Sequence, residues 1–180
     1  ELAAARAKVL SADALLARLG ERLRMLTGGA RDRPERQQTM RAAIAWSYDL
    51  LEEPDRTLLE RLAVFAGGCS YEAAEAVCGG GLDVLEGIGS LVDKSLLRRR
   101  EQEDGEVRFR MLEVVREYAI EQLEAGGEAS GARLAHARYF RGLAREAGPR
   151  LRGVEQRVWL ERLAREDDNL RAALSELFDR

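Results

Sequence analysis

The densest set of groups that could grip an anion is five arginines, Arg98, Arg99, Arg100, Arg108 and Arg110, on either side of Glu103-Asp104-Gly105. A guanidinium presents a planar fork of donors that matches a carboxylate or a phosphate. Val107, Phe109 and Met111 alternate with Arg108 and Arg110. That period of two, flanking a turn, predicts a β-hairpin with one apolar face and one arginine face. The same turn carries Glu101, Glu103, Asp104 and Glu106. Just upstream, the segment Val84 to Lys94 offers Asp83, Glu86, Gly87, Gly89, Ser90 and Asp93 on its polar side. Phosphate contacts supply most non-specific affinity for nucleic acid, and an acidic face repels phosphates. The arginines are therefore expected to make an interdomain or a DNA contact, with pairing to another protein surface favoured over direct DNA binding.

Catalytic arrangements are absent from the sequence. Lys94-Ser95 follows Asp93, with Ile88 in the other position where a phosphate-cradling loop requires glycine. Gly87-Ile-Gly89-Ser-Leu-Val92 lacks the third glycine of a dinucleotide fingerprint and falls inside an amphipathic helix, where tight packing is the expected use. There is no Gly-x-Ser-x-Gly elbow, and His136, the only histidine, has no nearby nucleophile. One histidine with Cys69 and Cys78 cannot compose a two-cysteine, two-histidine zinc site, so both thiols are expected to be buried and free. Pairs such as Asp167-Asp168 and Glu52-Glu53 fall at helix starts, where carboxylates favour the positive end of the helix dipole. The chain is not read as an enzyme.

The elements that would position these groups follow from periodicity and punctuation. Residues 1–27 predict two helices broken near Ser11, with Leu15, Leu16, Leu19, Leu23 and Leu26 at helical spacing, and residues 28–36 predict a linker. Residues 37–125 predict one unit. It opens with a helix from about Gln38 to Leu51 carrying Met40, Ile44, Ser47 and Leu51 on one face, with Ala43 and Leu50 beside them. A second helix starts at Pro54 and carries Leu58, Leu62 and Phe65 as far as Gly67-Gly68. A third is capped by Ser70, and a fourth, capped by Asp83, carries Val84, Leu85, Ile88, Leu91 and Val92. The hairpin comes next, and a helix from Leu112 to Glu124 follows it directly. Helices, a two-stranded hairpin and a further helix make the arrangement of a winged helix. Residues 130–180 predict three more helices, carrying Leu134 to Ala147, Val158 to Leu163 and Leu170 to Phe178. All three prolines, Pro34, Pro54 and Pro149, are placed just ahead of periodic segments. The C-terminal helices resemble the opening of an α-solenoid. The fold class is mainly α.

Composition bounds the rest. The 180 residues carry 29 basic and 32 acidic side chains, a net charge of -3, and are 46% hydrophobic. That balance suits a folded domain and argues against a general nucleic-acid coat. Only Lys8 and Lys94 are lysines, a skew that fits GC-rich coding. No apolar run reaches the roughly 18–20 residues of a membrane span, and no charged-then-apolar leader opens the chain, so a cytoplasmic location is expected. The opening Glu1-Leu-Ala-Ala-Ala-Arg, without an initiator methionine, predicts a piece of a longer protein.

Six stretches, in order, carry a family resemblance: Glu1-Leu-Ala-Ala-Ala-Arg, Arg36-Gln-Gln-Thr-Met-Arg-Ala-Ala-Ile-Ala-Trp-Ser-Tyr-Asp-Leu-Leu51, Leu62-Ala-Val-Phe-Ala-Gly-Gly68, Leu91-Val-Asp-Lys-Ser-Leu-Leu97, Phe109-Arg-Met-Leu-Glu-Val-Val-Arg-Glu-Tyr-Ala119 and Asp168-Asn-Leu-Arg-Ala-Ala-Leu174. The chain resembles the region after the ATPase domain in bacterial transcriptional regulators of the STAND class, the NB-ARC-like proteins with SARP-like or LuxR-like architecture. The resemblance implies an upstream ATPase that binds ATP or ADP with Mg, residues 1–27 as the end of a small helical domain, residues 37–125 as a winged helix, and residues 130–180 as the start of tetratricopeptide repeats. It implies no cofactor within the chain itself, and it allows the whole protein to oligomerise. It also implies that Met111-Leu112-Glu113 occupies the place of a Met-His-Asp triplet whose histidine approaches the β-phosphate of ADP. Leu112 has no hydrogen-bonding side chain for that task. A DNA-binding winged helix and a helical protein-interaction scaffold are the two alternative functions.

Overall fold

The computed structural model describes residues 40–102 and 104–178. The segments 1–27 and 28–36, expected as helices and a linker, lie outside the described residues. Eight helices and three short strands follow in the order α1 (Met40–Asp49), α2 (Glu53–Leu62), β1 (Cys69–Ser70), α3 (Tyr71–Cys78), α4 (Val84–Asp93), β2 (Leu97–Glu101), β3 (Val107–Met111), α5 (Glu113–Ala125), α6 (Ala129–Arg150), α7 (Gln156–Arg165) and α8 (Asp167–Phe178). The mainly helical fold with a small antiparallel sheet is the one the periodicity predicts.

Local chemistry explains where the helices start. The Ser70 hydroxyl accepts from the Ala73 N–H at 3.2 Å and the Asp83 carboxylate accepts from the Glu86 N–H at 3.0 Å, so α3 and α4 each begin on a side-chain cap. Pro54 sits in the first turn of α2, between Glu53 and Asp55. The apolar faces of α2, α3, α4 and α5 then converge on one core in which Leu58, Leu59, Ala74, Cys78, Leu91, Ala119 and Leu123 are sealed from solvent. Gly87 is part of that packing, since a Cβ there would stand 2.4 Å from Leu58 Cδ2. This is the close-packing role its sequence context suggests.

Three features depart from the sequence reading. The sheet has three strands, in the order β1-β3-β2, because Cys69 and Ser70 pair antiparallel with Phe109 and Arg108. Two residues are too short to show a period. Second, α2 stops at Leu62, and the Gly67-Gly68 pair does not close a helix but turns the chain into β1. Both glycines are left-handed, at φ 86 and 98. Third, Pro149 lies inside the last turn of α6, where its missing N–H removes one bond near the helix end rather than preceding a new helix. Several apolar residues placed on helix faces by periodicity, Leu50, Val158, Leu174 and Phe178, are exposed. No helix among the described residues is long and apolar enough to cross a membrane.

At Gly68 a Cβ would meet the Phe109 carbonyl oxygen at 2.5 Å, in a backbone conformation that side chains disfavour. Gly68→Ala is expected to lower stability by about 2–3 kcal/mol, read from urea unfolding midpoints at unchanged slope. Gly89→Ala, inside α4 where nothing lies within 4 Å, is expected instead to raise stability by about 0.5–1 kcal/mol.

Candidate functional site

Helices α3 and α4 with the β2-β3 hairpin form a helix-turn-helix and wing. In the place of a recognition helix, α4 buries Val84, Ile88 and Leu91 and exposes Leu85, Glu86, Gly89 and Asp93. The cation at its C-terminal end is committed inward. Lys94 Nζ lies 3.1 Å from an Asp55 carboxylate oxygen of α2, which also accepts from the Ser90 hydroxyl. With Asp83 at the cap, the outward face of α4 is acidic and apolar.

The wing splits the five arginines. Register pairs Arg98 with Arg110, Arg100 with Arg108, and Arg99 with Phe109. Arg98, Arg100, Arg108 and Arg110 therefore share one face, while Arg99 falls on the face expected to be apolar and reaches Glu101 at 3.2 Å. Arg98, Arg100 and Arg110 are exposed and have no ion pair among the described residues. Arg108 behaves differently. It is only 8% exposed and forms a two-pronged pair with Glu166, which is itself buried. The arginine face is therefore not a solvent face at its β1 side.

Glu166 belongs to the corner between α7 and α8, and that corner clasps the wing. The Arg108 Nη2 donates to Glu166 Oε2 at 3.1 Å and to the Gly68 carbonyl at 3.3 Å. Asn169, 1% exposed, donates through Nδ2 to the same Gly68 carbonyl at 2.9 Å and to Glu166 Oε2 at 2.7 Å, while its Oδ1 accepts from the Ala66 N–H at 2.8 Å. His136 of α6 lies 3.2 Å from the same Oδ1 through Nε2. An acceptor there requires the proton on Nε2. Outside this buried set, Arg165 pairs with Asp104 at 2.6 Å and with Glu106 at 2.9 Å, holding the tip of the hairpin. Burial is the largest single influence on Arg108 and opposes its charge, but the bond to Glu166 and the attraction of Glu166 and Glu106 together outweigh it and hold the guanidinium above its ordinary range. Burial lowers the His136 pKa, so the ring is neutral at pH 7.

The Met111-Leu112-Glu113 triplet sits where β3 passes into α5. Met111 is core, Leu112 is exposed in the N-cap position, and Glu113 pairs with Arg116 at 3.2 Å. Arg116 is also spent on the Phe65 carbonyl at 3.0 Å. No side chain of the triplet is a donor for a phosphate, so the residues present do not fit the nucleotide contact that the resemblance implies. Cys69 and Cys78 are buried free thiols, and burial pushes both pKa values up, that of Cys78 to about 12.

The helix order, the turn between α3 and α4, and the hairpin agree with comparisons to known proteins. Residues 51–124 match the winged helix-turn-helix domain. The chain as a whole is similar to a Mycobacterium tuberculosis protein named "Putative HTH-type transcriptional regulator", at 40% identity over 179 residues, covering 97% of this chain and 20% of that protein. A Mycobacterium bovis protein of the same name matches equally. An uncharacterized protein of M. tuberculosis is 42% identical over 134 residues, covering 72% of this chain and 34% of its own length. The chain thus spans about a fifth of the length of the first relatives it matches. No solved structure matches. The wing of this winged helix carries a buried arginine that is satisfied from helices beyond the domain match.

Sequence reasoning missed Glu166, Asn169 and Arg165 as partners of the wing. Glu166 lies 58 positions from Arg108, and nothing local marks the pair. Two outcomes follow from the clasp. Glu166→Ala leaves the buried guanidinium with only the longer carboxylate contact to Glu106, at 3.7 Å, and is expected to cost up to about 3–5 kcal/mol, whereas Arg108→Met with Glu166→Leu recovers most of that loss, both read by chemical denaturation. For His136 the unfolded chain binds a proton near pH 6.5 and the folded chain does so only at lower pH. The unfolded state therefore gains protons first as pH falls. Stability is expected to decline below about pH 6.5, and His136→Gln is expected to flatten that decline.

Proposed function

We propose that this chain is the regulatory winged-helix module of a longer, nucleotide-switched transcriptional regulator, coupling an upstream ATPase domain to downstream helical repeats. The acidic outward face of α4 carries this reading. A recognition helix that reads DNA needs donors and cations toward the phosphates and base edges. This one turns Asp83, Glu86 and Asp93 outward and commits Lys94 to Asp55. Such a face suits a basic surface of a neighbouring domain, against which the winged helix packs in one nucleotide state and from which it leaves in the other. The nucleotide with its Mg belongs to the ATPase domain, and the exposed Leu112 contributes apolar packing at that border rather than a phosphate bond.

A second reading, direct DNA binding through the wing, is supported by Arg98, Arg100 and Arg110, which have no carboxylate partner among the described residues. The two readings separate in the full-length protein. Glu86→Gln with Asp93→Asn, which keeps the Asp83 cap and adds no positive charge, is expected to speed ADP release several-fold while leaving affinity for duplex DNA little changed. Arg98→Ala with Arg110→Ala is expected to leave DNA affinity at low salt unchanged as well. If the arginine pair instead abolishes saturable duplex binding and the acidic pair leaves ADP release unaltered, the wing is a DNA-binding element and the switch reading is wrong.

A further inference from the structure

The contacts between the α7–α8 corner and the wing share their atoms, and three acceptors each serve two donors. Glu166 Oε2 takes Arg108 Nη2 and Asn169 Nδ2, the Gly68 carbonyl takes the same two groups, and Asn169 Oδ1 takes the Ala66 N–H and His136 Nε2. The pieces so joined lie far apart in the chain: a loop at 66–68, the central strand, α6 and the start of α8. Gly67 and Gly68, both left-handed, give the loop no side chain with which to pack. Groups from other elements hold it instead. A Cβ at Gly67 would stand 2.9 Å from the Asp168 carboxylate, and Arg116 of α5 donates to the Phe65 carbonyl at 3.0 Å.

Sharing of this kind makes partial opening unfavourable. If Glu166 alone withdraws, Arg108 is left buried directly opposite Arg100 of β2, and like charges so placed repel. If Asn169 alone withdraws, the Ala66 N–H loses its acceptor and the buried Glu166 carboxylate loses a donor. When corner and wing part completely, all of these groups reach water. The half-open arrangements are therefore the costliest, which is the property of a two-state element. Arg108, His136, Glu166 and Asn169 are already buried within the described residues, so the element needs no further covering segment.

We propose that the α7–α8 corner is an all-or-none latch on the wing. The corner, the loop at 66–68 and the β2–β3 hairpin open together or not at all, and opening turns Arg108 out to complete one row with Arg98, Arg100 and Arg110. Closed, the latch keeps that row incomplete and fixes the hairpin against which α4 packs. Its existence is independent of the nucleotide-switch reading. Its regulatory use rests on that reading, with helices downstream acting on the acidic face of α4 by way of the corner and the hairpin.

Amide hydrogen exchange on the 180-residue chain, followed by segment in rising urea, tests the latch without any substitution. Segments 66–70, 98–111 and 165–170 are expected to share one opening equilibrium and one urea dependence, both smaller than those of α2 and α5. Asn169→Ala is expected to raise exchange in all three segments by one common factor of about tenfold. Separate openings of hairpin and corner overturn the proposal, as does opening of the three segments only together with α2 and α5, or a rise in Asn169→Ala confined to the corner. In the full-length protein Asn169→Ala is expected to speed ADP release several-fold. If it does not, while Glu86→Gln with Asp93→Asn does, the latch has no regulatory use and the proposal fails with the switch reading intact. If neither variant alters ADP release, the switch reading fails, and the exchange result alone decides the latch.

Discussion

A guanidinium withdrawn from water has to meet an anion, and Arg108 meets Glu166. Much of the arrangement beyond the core depends on that requirement. Arg108 stands on the central strand of the sheet, so its partner must reach over the sheet face, and the residue that reaches is at the corner between two C-terminal helices. Once the corner is there, Asn169 can join the Gly68 carbonyl, the Ala66 N–H, His136 and Glu166 in one buried set with every member bonded. A buried ion pair is not in itself a strong source of stability, since desolvation cancels much of the attraction. What it supplies is geometry, because the pair forms in one register of the corner on the sheet and is costly to leave half made.

The consequence for function is mechanical. Surface ion pairs such as Arg41 with Glu121 or Arg133 with Glu124 contribute about 0–1 kcal/mol each and can exchange freely. The clasp on the wing cannot exchange without exposing Arg108, Glu166 and Asn169 together. The wing is thereby held to the α7–α8 corner more firmly than these surface pairs hold the elements they join, and α4 packs beside β2 on the other side of the hairpin.

Much of this architecture is legible in the residues, for reasons that differ from element to element. Ser70 and Asp83 announce helix starts because capping is a contact between neighbours three positions apart. The hairpin is legible because Val107, Phe109 and Met111 alternate with arginines just after a glycine turn, a period that fits a strand and fits a helix poorly. Strand β1 is not legible, since Cys69 and Ser70 are a strand only by virtue of β3. Alternation sets Arg108 on a face with Arg110 but gives no reason to bury it, because burial is decided by a carboxylate far along the chain. The acidic face of α4 can be read directly, since exposed charge on an amphipathic helix needs no tertiary partner to be placed. The leucines of α7 and α8 fall on faces that periodicity identifies, though periodicity alone cannot say whether a face is covered.

The strand order also governs how this domain can meet others. With β3 central, β1 covers one flank for only two residues and the α7–α8 corner lies over the strand beside it, while β2 forms the outer edge. That edge reads Leu97-Arg-Arg-Arg-Glu101. An open strand is ordinarily a template on which a foreign strand can add, but consecutive guanidiniums make a second backbone costly to seat there. Growth of the sheet by strand addition is thereby disfavoured, and a concentrated solution of this domain is protected from the edge-to-edge stacking that begins amyloid-like aggregation.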